Sequence, residues 1–232
     1  MIKPLYLLAD SQLLFWKDGN RLFLERIREQ LDSSNPTAAY IGASNGDNPE
    51  FYSIFQAAMA SIDLHSCCLI PSSPSGKDKA FLASASLVLL AGGDAEQGWK
   101  VFEQNGLKDL IAQKRYDGAV LVGVSAGAAQ IGRGTLLQAA TMKELPLFQL
   151  APFYVDAHQE QSEWWDLRAL VNLAGNGARG LGIPAGGGMI YTSEGSLEPV
   201  RKGLVEFLRQ EDKLIENLLL PETASQQEQA LR

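Results

Sequence analysis

Short apolar runs alternate along the chain with stretches whose apolar residues recur every three or four positions. Leu5-Tyr6-Leu7-Leu8 reads as a first buried strand. Residues 20–31 follow as a helix, with Phe23, Ile27 and Leu31 on one face. Thr37 to Ala43 is a second strand. Asp47-Asn48-Pro49 then supplies a cap and a first-turn proline for a helix through Phe51, Phe55 and Met59. Leu64 to Ile70 is a third apolar run, and Leu87 to Leu90 is a strand ended by Gly92-Gly93-Asp94. A helical stretch reaches about Lys114, and Ala119 to Val124 is a strand that meets Ser125-Ala126-Gly127-Ala128. Near-continuous apolar strands alternating with helices predict an α/β fold. Its mostly parallel sheet is covered by helices on both faces, a three-layer αβα sandwich.

The last third breaks this rhythm. Arg179 to Pro184, Met189 to Thr192 and Leu197 to Val200 are short and separated by glycine-rich turns, which predicts an antiparallel C-terminal meander at a sheet edge. A helix is expected near 201–209. With no repeats and no second composition regime, residues 1–220 read as one domain and 221–232 as a polar tail.

Composition adds three bounds. Nearly half of the 232 residues are apolar, enough for a sizeable core. A formal net charge of -7 argues against a nucleic-acid partner, which needs a basic footprint. The first apolar run is too short for a signal core or a membrane span, so no membrane partner and a cytoplasmic location are expected. The adjacent Cys67 and Cys68 form neither a disulfide framework nor a spaced metal set, and are read as two small buried hydrophobes.

Chemistry concentrates at strand ends. Gly123-Val124-Ser125-Ala126-Gly127 follows a buried strand and opens a helix, a setting that projects a serine from a sharp turn toward the sheet's carboxyl edge. The plainer alternative is an N-cap serine. A nucleophilic serine needs a base, and the chain has only two histidines. His65 lies in an apolar pattern and is read as a core or edge histidine. His158 follows Phe153 to Ala157, where a strand runs out into polar residues, and is the candidate base. Gly92 and Gly93 allow backbone N–H groups to approach a ligand, and with the Ala126 N–H would form an oxyanion hole. Asp94 reads equally as a helix N-cap. Arg133, Arg168 and Arg179 are candidates for a substrate carboxylate, with solvated surface roles as the alternative. Trp164-Trp165 is a candidate pocket wall or homodimer interface, with packing against the core as the plainer reading.

Three segments together resemble peptidase family S51, which includes dipeptidase E and cyanophycinase: Leu89 to Asp94, Gly123 to Ala128, and Val155 to His158. The resemblance implies a flavodoxin-like sandwich similar to class I glutamine amidotransferases. It also implies a metal- and cofactor-free serine hydrolase cleaving small aspartyl or β-aspartyl peptides or amides. By position, Ser125 would be nucleophile, His158 base, and Gly93 and Ala126 the oxyanion donors. Gly92, Asp94 and Asp156 would face substrate. The chain departs from the pattern in three places. Asp156-Ala157-His158-Gln159 stands where relatives carry Asp-Gln-His-Phe, Ala95 follows Asp94, and Gly182-Ile183-Pro184-Ala185 replaces Gly-Ile-Asp-Glu. Glu144 is the only acidic residue between Ser125 and Asp156, and so is the candidate triad acid. The departures keep a second reading open: a catalytically degenerate homologue serving as a small-ligand binding or regulatory module.

Overall fold

The computed structural model describes residues 2–137 and 142–222. In chain order its elements are β1 (Leu5–Leu8), β2 (Lys17–Asp18), β3 (Arg21–Leu22), α1 (Phe23–Arg28), β4 (Thr37–Ile41), α2 (Pro49–Ala60), β5 (Ser66–Ile70), α3 (Gly76–Ser84) and β6 (Leu87–Leu90). They continue with α4 (Ala95–Gln104), α5 (Leu107–Tyr116), β7 (Val120–Val124), α6 (Ala126–Ile131), β8 (Gly134–Leu137), β9 (Lys143–Pro146), β10 (Tyr154–Ala157) and α7 (Trp165–Ala174). The last five are β11 (Arg179–Ile183), β12 (Gly188–Tyr191), β13 (Leu197–Val200), β14 (Leu204–Gln210) and β15 (Lys213–Leu219).

The main sheet has seven strands in the order β13-β12-β1-β7-β6-β4-β5. The five from β1 to β5 are parallel, and β12 and β13 add an antiparallel edge. Alternation along each strand sorts side chains into two cores. Tyr6, Leu8, Tyr40, Leu89 and Val122 pack under α1 and α2. Leu5, Leu7, Ile41, Val88, Leu90 and Leu121 face Leu82 of α3, Trp99 and Phe102 of α4, Ile111 of α5 and Ile131 of α6. This is the expected three-layer arrangement with helices on both faces.

The C-terminal third differs from the sequence expectation in three ways. Arg179 to Ile183 does not join the main-sheet meander; β11 belongs to a second, four-stranded sheet ordered β10-β11-β14-β15. The expected helix at 201–209 is the strand β14, paired with β11 on one side and β15 on the other. Pairing fixes it: Glu206 is buried within the sheet, accepting from Arg179 at 2.7 Å and from the Asn217 amide at 2.8 Å. Two-sided β pairing with a satisfied buried charge overrides a local helical pattern. The predicted edge meander is confined to β12 and β13.

Smaller differences follow the same logic. The helix expected over 20–31 is Phe23–Arg28, because Lys17–Asp18 and Arg21–Leu22 pair as a short hairpin first. The stretch to Lys114 is two helices, broken at Gly106, whose φ is +64°. His65 is exposed just before the edge strand β5, not in the core. Cys67 and Cys68 are half-buried free thiols on that strand, and burial pushes the Cys67 thiol up to about 11. The polar tail beyond Glu222 lies outside the described residues. Among the described residues, no helix is long and apolar enough to cross a membrane.

Candidate active site

Ser125, His158 and the Gly92-Gly93 loop each sit just past the carboxyl end of a strand, where open α/β sheets leave a crevice. Ser125 follows β7, with φ 50° and ψ -111°, a conformation a non-glycine residue holds only when its surroundings fix it. Two neighbours do so. Its N–H donates to Leu8 O on the adjacent β1 at 2.8 Å, and its carbonyl accepts from Ala128 and Ala129 in the first turn of α6. The glycines flanking it are required by close approach. A Cβ on Gly123 would lie 2.5 Å from Gly127 O, and one on Gly127 would lie 2.1 Å from Leu90 O. The Gly-x-Ser-x-Gly spacing therefore lets α6 start directly on the sheet edge.

His158 is built the same way on the second sheet. It follows β10 at φ 49°, and its N–H donates to Ile183 O of the neighbouring β11 at 2.9 Å. Helix α6 packs between β7 and β10 and so sets the separation of the two strand ends. The result is a 2.8 Å contact between Ser125 Oγ and His158 Nε2. Ser125 is half-buried and His158 exposed. A hydroxyl at that distance from an imidazole nitrogen can hand over its proton without rearrangement.

The glycine loop closes the other side. Gly93 adopts φ 131°, and a Cβ there would fall 2.0 Å from Ser44 O. The loop is latched to β4's end by the Asp94 N–H, which donates to Ser44 O at 2.7 Å. Asp94 also caps α4, its carboxylate accepting from the Gln97 N–H at 2.9 Å. Among the described residues the N–H groups of Gly93 and Ala126 have no acceptor within the protein, and both residues line the space beside Ser125. Donors left free beside a nucleophile are what an oxyanion hole needs.

Two cavities meet at Gly93, Ser125 and His158. One, of about 220 Å³, is walled by Leu14, Tyr40, Phe51, Ile54, Phe55 and Leu89 and includes Gly92. The other, of about 410 Å³, is walled by Asp94, Glu96, Ala126, Asp156 and Asp166. Asp156 accepts from the Ala157 N–H at 2.9 Å. Burial, with a smaller contribution from the Asp166 carboxylate, pushes its carboxyl up to about 6, while the Ala157 N–H and His158 work in the opposite direction.

The remaining candidates are placed elsewhere. Glu144 lines neither cavity. Its carboxylate lies over Gly134 in the β8–β9 hairpin, next to Tyr154; burial first and Glu144 second push the Tyr154 hydroxyl up to about 12. It does not bond His158, and no other side chain among the described residues accepts from His158 Nδ1. Arg133 stacks over the Tyr154 ring, Arg168 over Phe207, and Arg179 pairs with Glu206. Trp164 is buried under α7 and Trp165 is exposed. Sequence reading missed Ser44, Gln130 and Asp166. Ser44 alone left a signal, since Ala43-Ser44-Asn45 directly follows an apolar strand. Among the described residues no group of three His, Cys, Asp or Glu is arranged to hold a metal ion.

This chain belongs to peptidase family S51: residues 5–163 match the family's profile. Membership makes it a serine-type peptidase. Two solved structures are similar in fold. A peptidase from an acI-B1 Actinobacterium superposes with a TM-score of 0.69 at 14% identity, over 94% of this chain and 95% of that one. A Listeria monocytogenes EGD-e protein described as a peptidase E gives 0.61 at 14% identity, over 94% of this chain and 100% of that one. No curated protein sequence matches the chain.

Proposed function

We propose that this peptidase hydrolyses a small peptide or amide with Ser125 as nucleophile and His158 as general base. The 2.8 Å contact between Ser125 Oγ and His158 Nε2, beside two free backbone donors, is the observation that supports it. His158 Nε2 takes the Ser125 proton as Oγ attacks the carbonyl carbon. The Gly93 and Ala126 N–H groups receive the oxyanion, and His158 returns the proton to the leaving amine. Water, deprotonated by the same imidazole, then releases the acyl group. Glu144 makes no hydrogen bond to His158, and among the described residues no other side chain accepts from Nδ1, so the site works as a dyad. On serine-protease precedent, losing an orienting acid lowers kcat by up to about four orders of magnitude.

A fluorophosphonate probe followed by mass spectrometry tests the assignment. The adduct is expected on Ser125, absent from Ser125→Ala and His158→Ala, and unaffected by Glu144→Gln. Labelling that survives His158→Ala at the wild-type rate would remove His158 as base. The absence of an acceptor on His158 Nδ1 favours a second reading, a binding module without turnover. That reading requires ligand-induced thermal stabilisation in both wild type and Ser125→Ala, with no hydrolysis by either.

A further inference from the structure

Family resemblance implies an acidic substrate side chain, and recognition of a carboxylate needs a cation or a set of donors. Neither cavity at Ser125 offers a cation: no Lys or Arg lines either one among the described residues. The three arginines that the sequence offered for a carboxylate, Arg133, Arg168 and Arg179, lie against the Tyr154 ring, the Phe207 ring and Glu206. The larger cavity presents four carboxylates, Asp94, Glu96, Asp156 and Asp166. An aspartyl group placed there would meet like charge.

The smaller cavity presents hydrocarbon. Leu14, Phe51, Ile54, Phe55, Leu89 and Val124 line it, and two of its polar members are engaged elsewhere. Asp10 accepts from the Gly186 N–H at 2.6 Å and the Gln12 N–H at 2.8 Å, and the Asn45 amide donates to the Tyr40 hydroxyl at 3.0 Å. Its other polar members, the Ser11 and Tyr40 hydroxyls among them, are neutral, so a carboxylate seated here would lose its hydration with no cation to offset the cost. An apolar cavity of roughly 150 Å³ holds a benzene ring, so one of about 220 Å³ has room for a phenylalanyl or leucyl side chain. Phe51, 49% exposed at the start of α2, keeps its ring at this cavity, an apolar surface that an apolar ligand would cover.

We propose that the site selects a peptide or amide whose side chain next to the scissile bond is apolar, leucyl or phenylalanyl in size, and rejects an aspartyl one. The apolar group sits in the cavity between Leu14, Phe51, Ile54 and Phe55. This specificity rests on Ser125 being the nucleophile.

Matched N-acetyl-leucyl, -phenylalanyl and -aspartyl p-nitroanilides test it. The expected kcat/KM for leucyl or phenylalanyl exceeds that for aspartyl by about 100-fold or more. Ile54→Arg, which places a cation in the cavity, should move the aspartyl-to-leucyl ratio upward by about tenfold or more, a ratio insensitive to the fraction folded. An equal or greater rate on the aspartyl substrate, with Ser125 labelled by the fluorophosphonate, would overturn the specificity and leave the nucleophile standing. Unlabelled Ser125 would overturn the nucleophile instead. Binding separates the two: in Ser125→Ala, chemical-shift titration should show N-acetyl-phenylalaninamide binding in preference to N-acetyl-aspartate. The reverse preference, or binding of neither, refutes the apolar pocket.

Discussion

Gln130 Nε2 donates to Ser44 Oγ at 3.0 Å, and the same nitrogen donates to Ala95 O at 3.0 Å. Gln130 is 0% exposed on α6, the helix that Ser125 directly precedes, and its Oε1 has no partner. Ser44 in turn holds the Gly93-Asp94 loop through its carbonyl. One buried amide thus ties the helix behind Ser125 to the loop that carries a proposed oxyanion donor.

Gln130 is therefore a positioning residue. Gln130→Leu should lower kcat by about 10- to 100-fold with KM changed by less than about threefold, because loosened donors act in the transition state. Steady-state kinetics on any cleaved amide reads this split. A fall in kcat no larger than the fall in folded fraction measured by thermal unfolding would reduce Gln130 to a packing role.

Gly93 cannot carry a side chain. Its φ of 131° is one that L residues rarely adopt, and the added Cβ would press on Ser44 O at 2.0 Å. Gly93→Ala should destabilise the protein by about 2–4 kcal/mol and abolish turnover, because the loop must move to relieve the clash. Denaturant unfolding measures the first effect. A variant of wild-type stability and activity would show that the loop has another conformation available.

Asp156 predicts a pH-dependent stability. Its carboxyl is raised from the ordinary 3.8 to about 6, so the folded protein binds its proton more tightly than the unfolded chain does. Stability from this group is fully present below about pH 4 and is lost as pH rises through about 6. Asp156→Asn keeps an oxygen for the Ala157 N–H and removes the buried charge. It should stabilise the protein by about 1–3 kcal/mol at pH 8, with the gain fading toward pH 4. Unfolding curves at the two pH values check the sign. A variant destabilised at pH 8 would show that the charge is held favourably.

The serine segment was legible because its requirement is local. Gly123, Ser125 and Gly127 encode a strand, a strained turn and a helix start within five residues, and the structure puts each glycine against backbone. The strand alternation that separates the cores of Leu5 and Tyr6 was equally local. The pairing of His158 with Ser125 was legible as a candidate, since the chain holds two histidines and only one follows a core strand.

Pairing choices were not legible. Leu204–Gln210 becomes a strand because β11 and β15 flank it and Arg179 satisfies the buried Glu206, and no local pattern announces partners that distant. Glu144 was the acid by sequence order, yet a hairpin turns it toward Tyr154. The cavity walls draw Leu14, Phe51 and Val124 from three separate segments. The sequence by itself determined the αβ alternation and the turn that carries Ser125, because both rest on backbone geometry over a few residues. The tertiary structure alone decided which strands share a sheet, which acids and arginines reach the site, and what lines the space beside Ser125. Those depend on contacts between residues far apart in the chain.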